Sequence, residues 1–160
     1  MSIERARAHL RALGLEDKIK EFPVSSATVE LAAKAVGCQP ARIVKTLSFA
    51  GPEDDCILVL AAGDARIDNA RFKAQFGLKA RMLTPDQAIR LTGHAVGGVC
   101  PFGVEPGAKV YLDESIRRFQ VVYPAAGSAN SAVELTIAQL EAASGFLQWV
   151  DVCKGWGEDA

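Results

Sequence analysis

Two runs of β-branched and aliphatic residues, Ile43 to Phe49 and Cys56 to Ala61, are separated by the polar turn-formers Gly51-Pro52-Glu53-Asp54-Asp55. Strand-length apolar runs joined in this way predict a β-hairpin. The remaining elements have to be arranged around it. Ile3, Ala6, Leu10 and Leu13 follow Ser2 at helical spacing and Gly14 closes that helix. Thr28 caps a second helix, Val29 to Val36, in which Val29, Leu31, Ala32 and Ala35 suit burial and which Gly37 ends. Pro40 suits the first turn of a short helix that leads into the first strand.

Downstream, Asp68 caps a helix that runs through Phe76 and stops at Gly77. Thr84-Pro85-Asp86-Gln87 is a capping box with proline at the first helical position, opening a helix that ends near Gly93. Strands are expected at Lys109 to Leu112, Gln120 to Tyr123 and Ala132 to Leu135, a second capping box at Thr136 to Gln139, and a last strand within Phe146 to Val152. The predicted order is α, α, β, β, α, β, α, a long loop, then β, β, β, α, β. Strands adjacent in sequence alternate with strands separated by helices, which predicts an α/β fold on a mixed sheet. No repeat, low-complexity tract or Pro/Ser-rich linker divides the chain, so residues 1–160 are expected to form a single domain with a frayed tail at 155–160.

At 160 residues and 17.0 kDa such a domain buries about 70% of its unfolded surface and needs no disulfide or metal to hold it together. Cys38, Cys56, Cys100 and Cys153 are too far apart for a Cys-x-x-Cys pair, and His9 and His94 are the two imidazoles, so no metal is expected. The first ten residues lack an apolar signal region, and no run approaches the ~18 apolar residues of a membrane span. The expectation is a cytoplasmic protein with reduced thiols and no membrane contact. A net charge of −1 excludes a generally basic nucleic-acid coat protein but leaves room for a local patch. Arg66, Arg71, Lys73, Lys79 and Arg81 stand there against the single acid Asp68. That segment is either an RNA contact or an ordinary solvated helix face.

Two features carry chemistry. The loop from His94 to Gly107 places glycines and prolines between apolar residues. Gly97, Gly98, Pro101 and Gly103 can hold backbone amides toward one hollow, as an oxyanion hole does, or simply make a tight connection. Lys45 interrupts the first hairpin strand on the parity of Ile43 and Leu47, so its ammonium either lines a cleft or snorkels from an edge strand. Cys100 lies within the loop and reads as a pocket-lining thiol or, with a base partner, a nucleophile; His94 reads as a helix-end or rim residue.

Ile43-Val44-Lys45-Thr46-Leu47-Ser48-Phe49, the loop Gly97-Gly98-Val99-Cys100-Pro101-Phe102-Gly103 and the later Gly127-Ser128-Ala129-Asn130-Ser131 resemble, in this order, the YbaK/EbsC family, relatives of the editing domain of bacterial prolyl-tRNA synthetases. Thr28 and the run from Ala35 to Leu47 extend the resemblance to nearly the whole chain. The resemblance implies a strongly curved, partly barrel-like mixed β-sheet surrounded by helices. It also implies an aminoacyl-tRNA deacylase that hydrolyses the ester of a mischarged tRNA without a cofactor.

By the same resemblance, Lys45 is the functionally essential side chain. Thr28, Thr46, Gly97, Gly98, Val99, Cys100, Pro101, Phe102, Gly103, Gly127, Ser128 and Asn130 contact the substrate. The implied substrate is a small amino acid on a tRNA acceptor end, proline tRNA among the candidates. A synthetase is a possible partner, and DNA is not expected. Some relatives carry a histidine or acid in the turn at Gly127 to Ser131, where this chain has Ser128, Asn130 and Ser131 to position or select substrate. The competing reading is a non-catalytic module that binds aminoacyl-tRNA or a synthetase.

Overall fold

The computed structural model of the chain describes residues 2–157. Its helices are α1 (Ser2–Ala12), α2 (Val29–Val36), α3 (Asn69–Phe76), α4 (Pro85–Thr92) and α5 (Ile137–Ser144). Its strands are β1 (Ile19–Glu21), β2 (Ile43–Ala50), β3 (Cys56–Ala62), β4 (Arg66–Ile67), β5 (Ala108–Asp113), β6 (Val121–Pro124), β7 (Ser131–Val133), β8 (Leu135–Thr136), β9 (Gln148–Val150) and β10 (Cys153–Lys154). Single 3-10 turns occupy Glu16–Lys18, Pro40–Arg42 and Glu114–Arg118.

Helix boundaries follow local chemistry. Thr28 Oγ1 accepts from the Leu31 N–H, and Asp68 accepts from the Arg71 N–H. Thr84 with Gln87 and Thr136 with Gln139 form complete capping boxes, each satisfying amides that would otherwise be left without partners.

β2 and β3 form the expected antiparallel hairpin, with Lys45 opposite Ala61 and Thr46 opposite Leu60. They lie at the centre of a six-stranded mixed sheet ordered β8-β6-β2-β3-β5-β9, which curls into a half-barrel with the helices around it. Every residue of β3 is buried because both faces are covered. On one face Leu58, Leu60 and Leu112 pack with Leu10, Phe102 and Leu140. On the other, Val59 and Ala61 pack with Phe49, Phe72 and Val150, and rings continue from Phe49 through Phe72 and Phe76 to Tyr111 at 4.6–4.9 Å between centroids. Each fully buried leucine or phenylalanine here contributes about 1.5–3 kcal/mol.

The structure corrects several expectations. Leu31 is 43% exposed and Leu13 47%, so neither belongs to the apolar face assigned to its helix; α2 buries Ala32 and Ala33 instead. The strand expected at Ala132 to Leu135 divides around Glu134, β7 pairing with β1 and β8 with β6. β1, β4 and β10 are additional, and the strand expected between α3 and α4 reduces to one bridge from Met82 to Phe49. The tail expected from residue 155 is held as far as Gly157. The Arg118 guanidinium lies 4.9 Å from the Trp156 ring, and the Gly157 N–H donates to Asp64. Residues 158–160 lie outside the described residues.

Candidate functional site

β6 pairs with β2 only at Ile43 with Tyr123 and Val44 with Pro124. Farther along the same edge the Leu83 N–H donates to Ser48 O and the Ala50 N–H donates to Arg81 O. Between these two attachments no strand among the described residues lies beside the edge of β2, and a cavity of about 540 Å³ opens there. Ser48 and Ala50 direct their peptide groups to the 81–83 segment. Thr46 has the same parity, so its peptide edge borders the cavity. Its Oγ1 is buried without a hydrogen-bond partner among the described residues.

Four further segments complete the wall. Ser26 to Val29 enter from the start of α2, and Met82, Leu83 and Pro85 from the start of α4. Val96, Gly97 and Val99 come from the glycine-rich loop, and Tyr123, Ala125, Ser131 and Ala132 from β6 and β7. Lys45, Thr46, Thr28, Gly97 and Val99, singled out in the sequence, therefore border one cavity.

Lys45 is half-buried, and its Nζ donates to Gly63 O at 3.4 Å. Desolvation pulls its pKa below the ordinary lysine value, while the Cys153 sulfur and the carboxylates of Asp64 and Glu30 oppose that pull and Arg66 adds to it. Among the described residues no carboxylate forms an ion pair with it; Asp64 is instead held by Arg118 at 3.0 Å. The carbonyl that receives Lys45 belongs to a residue that must be glycine. A Cβ on Gly63 would lie 2.0 Å from Pro40 O and 2.7 Å from Val29 Cγ1.

Much of the loop from residue 94 to 107 turns away from the cavity. Cys100, Phe102 and His94 are completely buried, and Pro101 is buried with them. His94 Nε2 lies 2.7 Å from Phe102 O. His94 follows the Gly93 cap of α4, at a helix end as expected, but it is a core residue rather than a rim one, because α1 covers it: the His9 ring lies 6.0 Å from the Phe102 ring, and Gly103 abuts the backbone of Arg5. Cys100 does not line the cavity, and burial pushes its thiol up to about 12.

Gly98 is packed against the backbone of Gly127 and Ser128, where a Cβ would meet atoms at 2.6 Å, and its N–H is engaged by Ala95 O at 3.0 Å. Of the loop residues expected to meet substrate, Gly97 and Val99 reach the cavity, Gly98 borders a second hollow, and Cys100, Pro101, Phe102 and Gly103 line neither. Gly127 and Ser128 border a separate hollow of about 170 Å³, and Asn130 lines neither space.

The five basic residues also separate. All are exposed. Arg71 is tied to Asp151 at 3.2 Å and to Cys153 O at 2.9 Å. Lys73 and Lys79 lie on α3 and just beyond it. Arg66 acts on Lys45, and Arg81 adjoins Met82 at the cavity wall.

Ser26, Ser48, Met82, Val96 and Tyr123 line the cavity without having been anticipated. They come from segments with no motif of their own, and only the paired fold brings them together. Among the described residues no group of three or more His, Cys, Asp or Glu could hold a metal, and no helix is long and apolar enough to cross a membrane.

Comparison with known proteins gives one consistent answer. The family profile described as the aminoacyl-tRNA editing domain matches residues 24–143, a span that contains every cavity-lining residue. The uncharacterized protein YwhH of Bacillus subtilis (strain 168) is 51% identical over 156 residues, 98% of this chain and 99% of its own. The proline–tRNA ligase of Thermotoga maritima is 33% identical over 104 residues, which are 64% of this chain but 18% of the ligase. A solved structure of a proposed trans-editing enzyme for prolyl tRNA synthetase superposes with a TM-score of 0.85 at 34% identity, covering 96% of this chain and 98% of that one.

Proposed function

The chain belongs to the aminoacyl-tRNA editing domain family, and from that premise we propose that it is a free-standing deacylase. It would hydrolyse the ester between a wrongly attached small amino acid and the 3′-terminal ribose of a tRNA, with proline tRNA the first candidate. The observation that carries this reading is that Lys45, Gly97 and Val99 border one cavity. Its volume lies within the range of small-ligand sites. Likeness to the Thermotoga maritima ligase and to the solved trans-editing structure supports the choice of tRNA.

An ester is already activated, so the protein's task is to place the attacking oxygen and stabilise the charge that develops. The oxygen of a water or of the neighbouring ribose hydroxyl adds to the ester carbonyl. The carbonyl electron pair moves onto oxygen, and the intermediate collapses by expelling the ribose oxygen, which takes up the proton that the attacking hydroxyl gives up. Attack by water gives the free amino acid and tRNA directly; attack by the ribose hydroxyl transfers the ester, and water then completes the hydrolysis. Lys45 supplies a fixed positive charge near the ester or the terminal phosphate, strengthened by its partial removal from water. Arg66 and Arg81, exposed beside the site, are the candidates for acceptor-end phosphates. Such a protein would work in the cytoplasm beside a synthetase.

A second reading is favoured by one feature of the wall. None of the cavity-lining residues is a histidine or a carboxylate, so no side chain there is a conventional general base. A module that binds aminoacyl-tRNA without cleaving it needs none. The experiment is a panel of mischarged tRNAs incubated with the wild type and with Lys45→Ala. The deacylase reading expects release of amino acid from at least one tRNA, and loss of that release in a folded Lys45→Ala. Saturable binding with the ester left intact throughout the panel would select the module.

A further inference from the structure

The wall formed by Ser26 and Ser131 has a fixed hydrogen-bond polarity. Asn130 Nδ2 donates to Phe22 O at 3.1 Å, and this carbonyl can only accept, so the Asn130 side-chain oxygen faces Ser128. Asn130 Oδ1 lies 2.9 Å from Ser128 Oγ and can only accept as well, so the single hydroxyl proton of Ser128 is directed there. Ser128 Oγ is also 2.7 Å from Ser131 Oγ, and with its own proton committed it must accept, so the Ser131 hydroxyl donates. The other neighbour of the Ser131 hydroxyl, Ser128 O at 3.5 Å, would take the same proton. Ser26 directs its hydroxyl proton to Ser131 O at 3.4 Å.

Both serines line the cavity, and both are buried, at 8% and 2% exposure. Their protons are used within the protein, and what remains toward a ligand is lone pairs. A chain of hydrogen bonds running one way polarises its members, which makes the last oxygen a better acceptor. Two acceptors on one wall, with no carboxylate among the lining residues, suit a group with several N–H donors.

We propose that Ser26 and Ser131 form an acceptor wall that receives the α-ammonium of the aminoacyl group, so that this chain selects esters whose amino group is free. This rests on the aminoacyl-ester reading above. It places the cationic end of the substrate on the serine wall and leaves the ester to Lys45, the only cationic side chain among the lining residues. An N-acylated aminoacyl group has lost both its charge and two of its three donors, and it presents a bulkier substituent to a buried wall.

The test is a binding measurement that needs no turnover. The probes are 3′-(alanylamino)-3′-deoxyadenosine, whose amide cannot be hydrolysed as an ester, and its N-acetyl derivative. Each is titrated calorimetrically into wild type, Ser131→Ala, Ser131→Thr and Ser26→Ala, with thermal melts to confirm that each variant is folded. The wild type should bind the free amine at least about tenfold more tightly, the scale of one charge-assisted hydrogen bond. Ser131→Ala should bring the two affinities within about threefold by weakening the free amine alone, and Ser131→Thr should restore the gap. If Ser131→Ala fails to fold, Ser26→Ala carries the same expectation. Equal wild-type affinity for the two probes, equal weakening of both by the alanine variants, or no binding of either overturns the proposal. Failure to deacylate any mischarged tRNA, with the tenfold gap intact, would instead overturn the deacylase reading and leave the ammonium wall standing.

Discussion

Cys100 Sγ and His94 Nε2 lie 3.6 Å apart, the spacing of a thiol with its base, yet neither residue touches solvent. His94 Nε2 is already engaged by Phe102 O, and burial holds the imidazole below its ordinary pKa and the thiol far above its own. A nucleophile requires thiolate and access, and this pair has neither. It fastens the glycine-rich loop to the core beneath α1.

Cys100→Ala should therefore keep deacylation within about threefold of wild type while lowering stability by about 1–2 kcal/mol, the loss expected for a small buried side chain. Urea melts and the tRNA panel measure the two effects. Covalent trapping of an aminoacyl group on Cys100 would contradict the assignment. In the folded protein a thiol reagent should modify Cys38, which is partly exposed, before Cys56, Cys100 and Cys153, which are buried.

Lys45 is partly desolvated and, among the described residues, without an ion-pair partner, so the folded state carries a charge that water would hold more favourably. Lys45→Met keeps the aliphatic length and removes the charge. It should abolish deacylation and leave the melting temperature at or above that of the wild type, within about 1 kcal/mol in free energy. A large fall in melting temperature would show that the lysine serves the fold rather than the site.

Gly97 and Gly98 should differ in kind. Gly97 has φ +94° and only ordinary contacts at 3.5–3.6 Å, so Gly97→Ala costs about 1–2 kcal/mol of backbone strain. Gly98→Ala places a methyl 2.6 Å from the backbone of Gly127 and Ser128, so it must displace that loop at about 1–3 kcal/mol. Amide chemical shifts should report the difference: Gly98→Ala moves the 127–131 signals and Gly97→Ala leaves them nearly in place.

Burial depresses the His94 pKa in the folded state, so between the unfolded value of about 6.5 and the lower folded value the unfolded chain binds more protons. The stability due to neutral His94 is complete above about pH 6.5 and is lost as pH falls through the folded value. Urea midpoints should therefore decline from pH 7 toward pH 5, and His94→Gln should flatten that decline even if its midpoint is lower throughout.

What was legible in the sequence was what local chemistry determines. Thr84 with Gln87 and Thr136 with Gln139 announced their helices because a capping box is complete within four residues. Lys45 was legible because one charge in an apolar strand has few places to go. The depth of Cys100 and His94 was not, since it depends on α1 lying over the loop, with Arg5 against Gly103 some 98 residues away. β1, β4 and β10 are two or three residues long, too short to show a period. Ser26 Oγ and Ser131 O meet across 105 residues, where the Phe22 and Ser26 N–H groups donate to Asn130 O and Ala129 O, a pairing that neither segment advertises.

Gly98 rests on Gly127 and Ser128 with no room for a methyl group, which makes two distant loops a single partition. Gly97 and Val99 on the cavity wall are therefore joined through a residue that faces the smaller hollow instead. A change at position 98 is therefore felt on the far side of that partition as well, at Ser128 and at the Ser131 hydroxyl bonded to it.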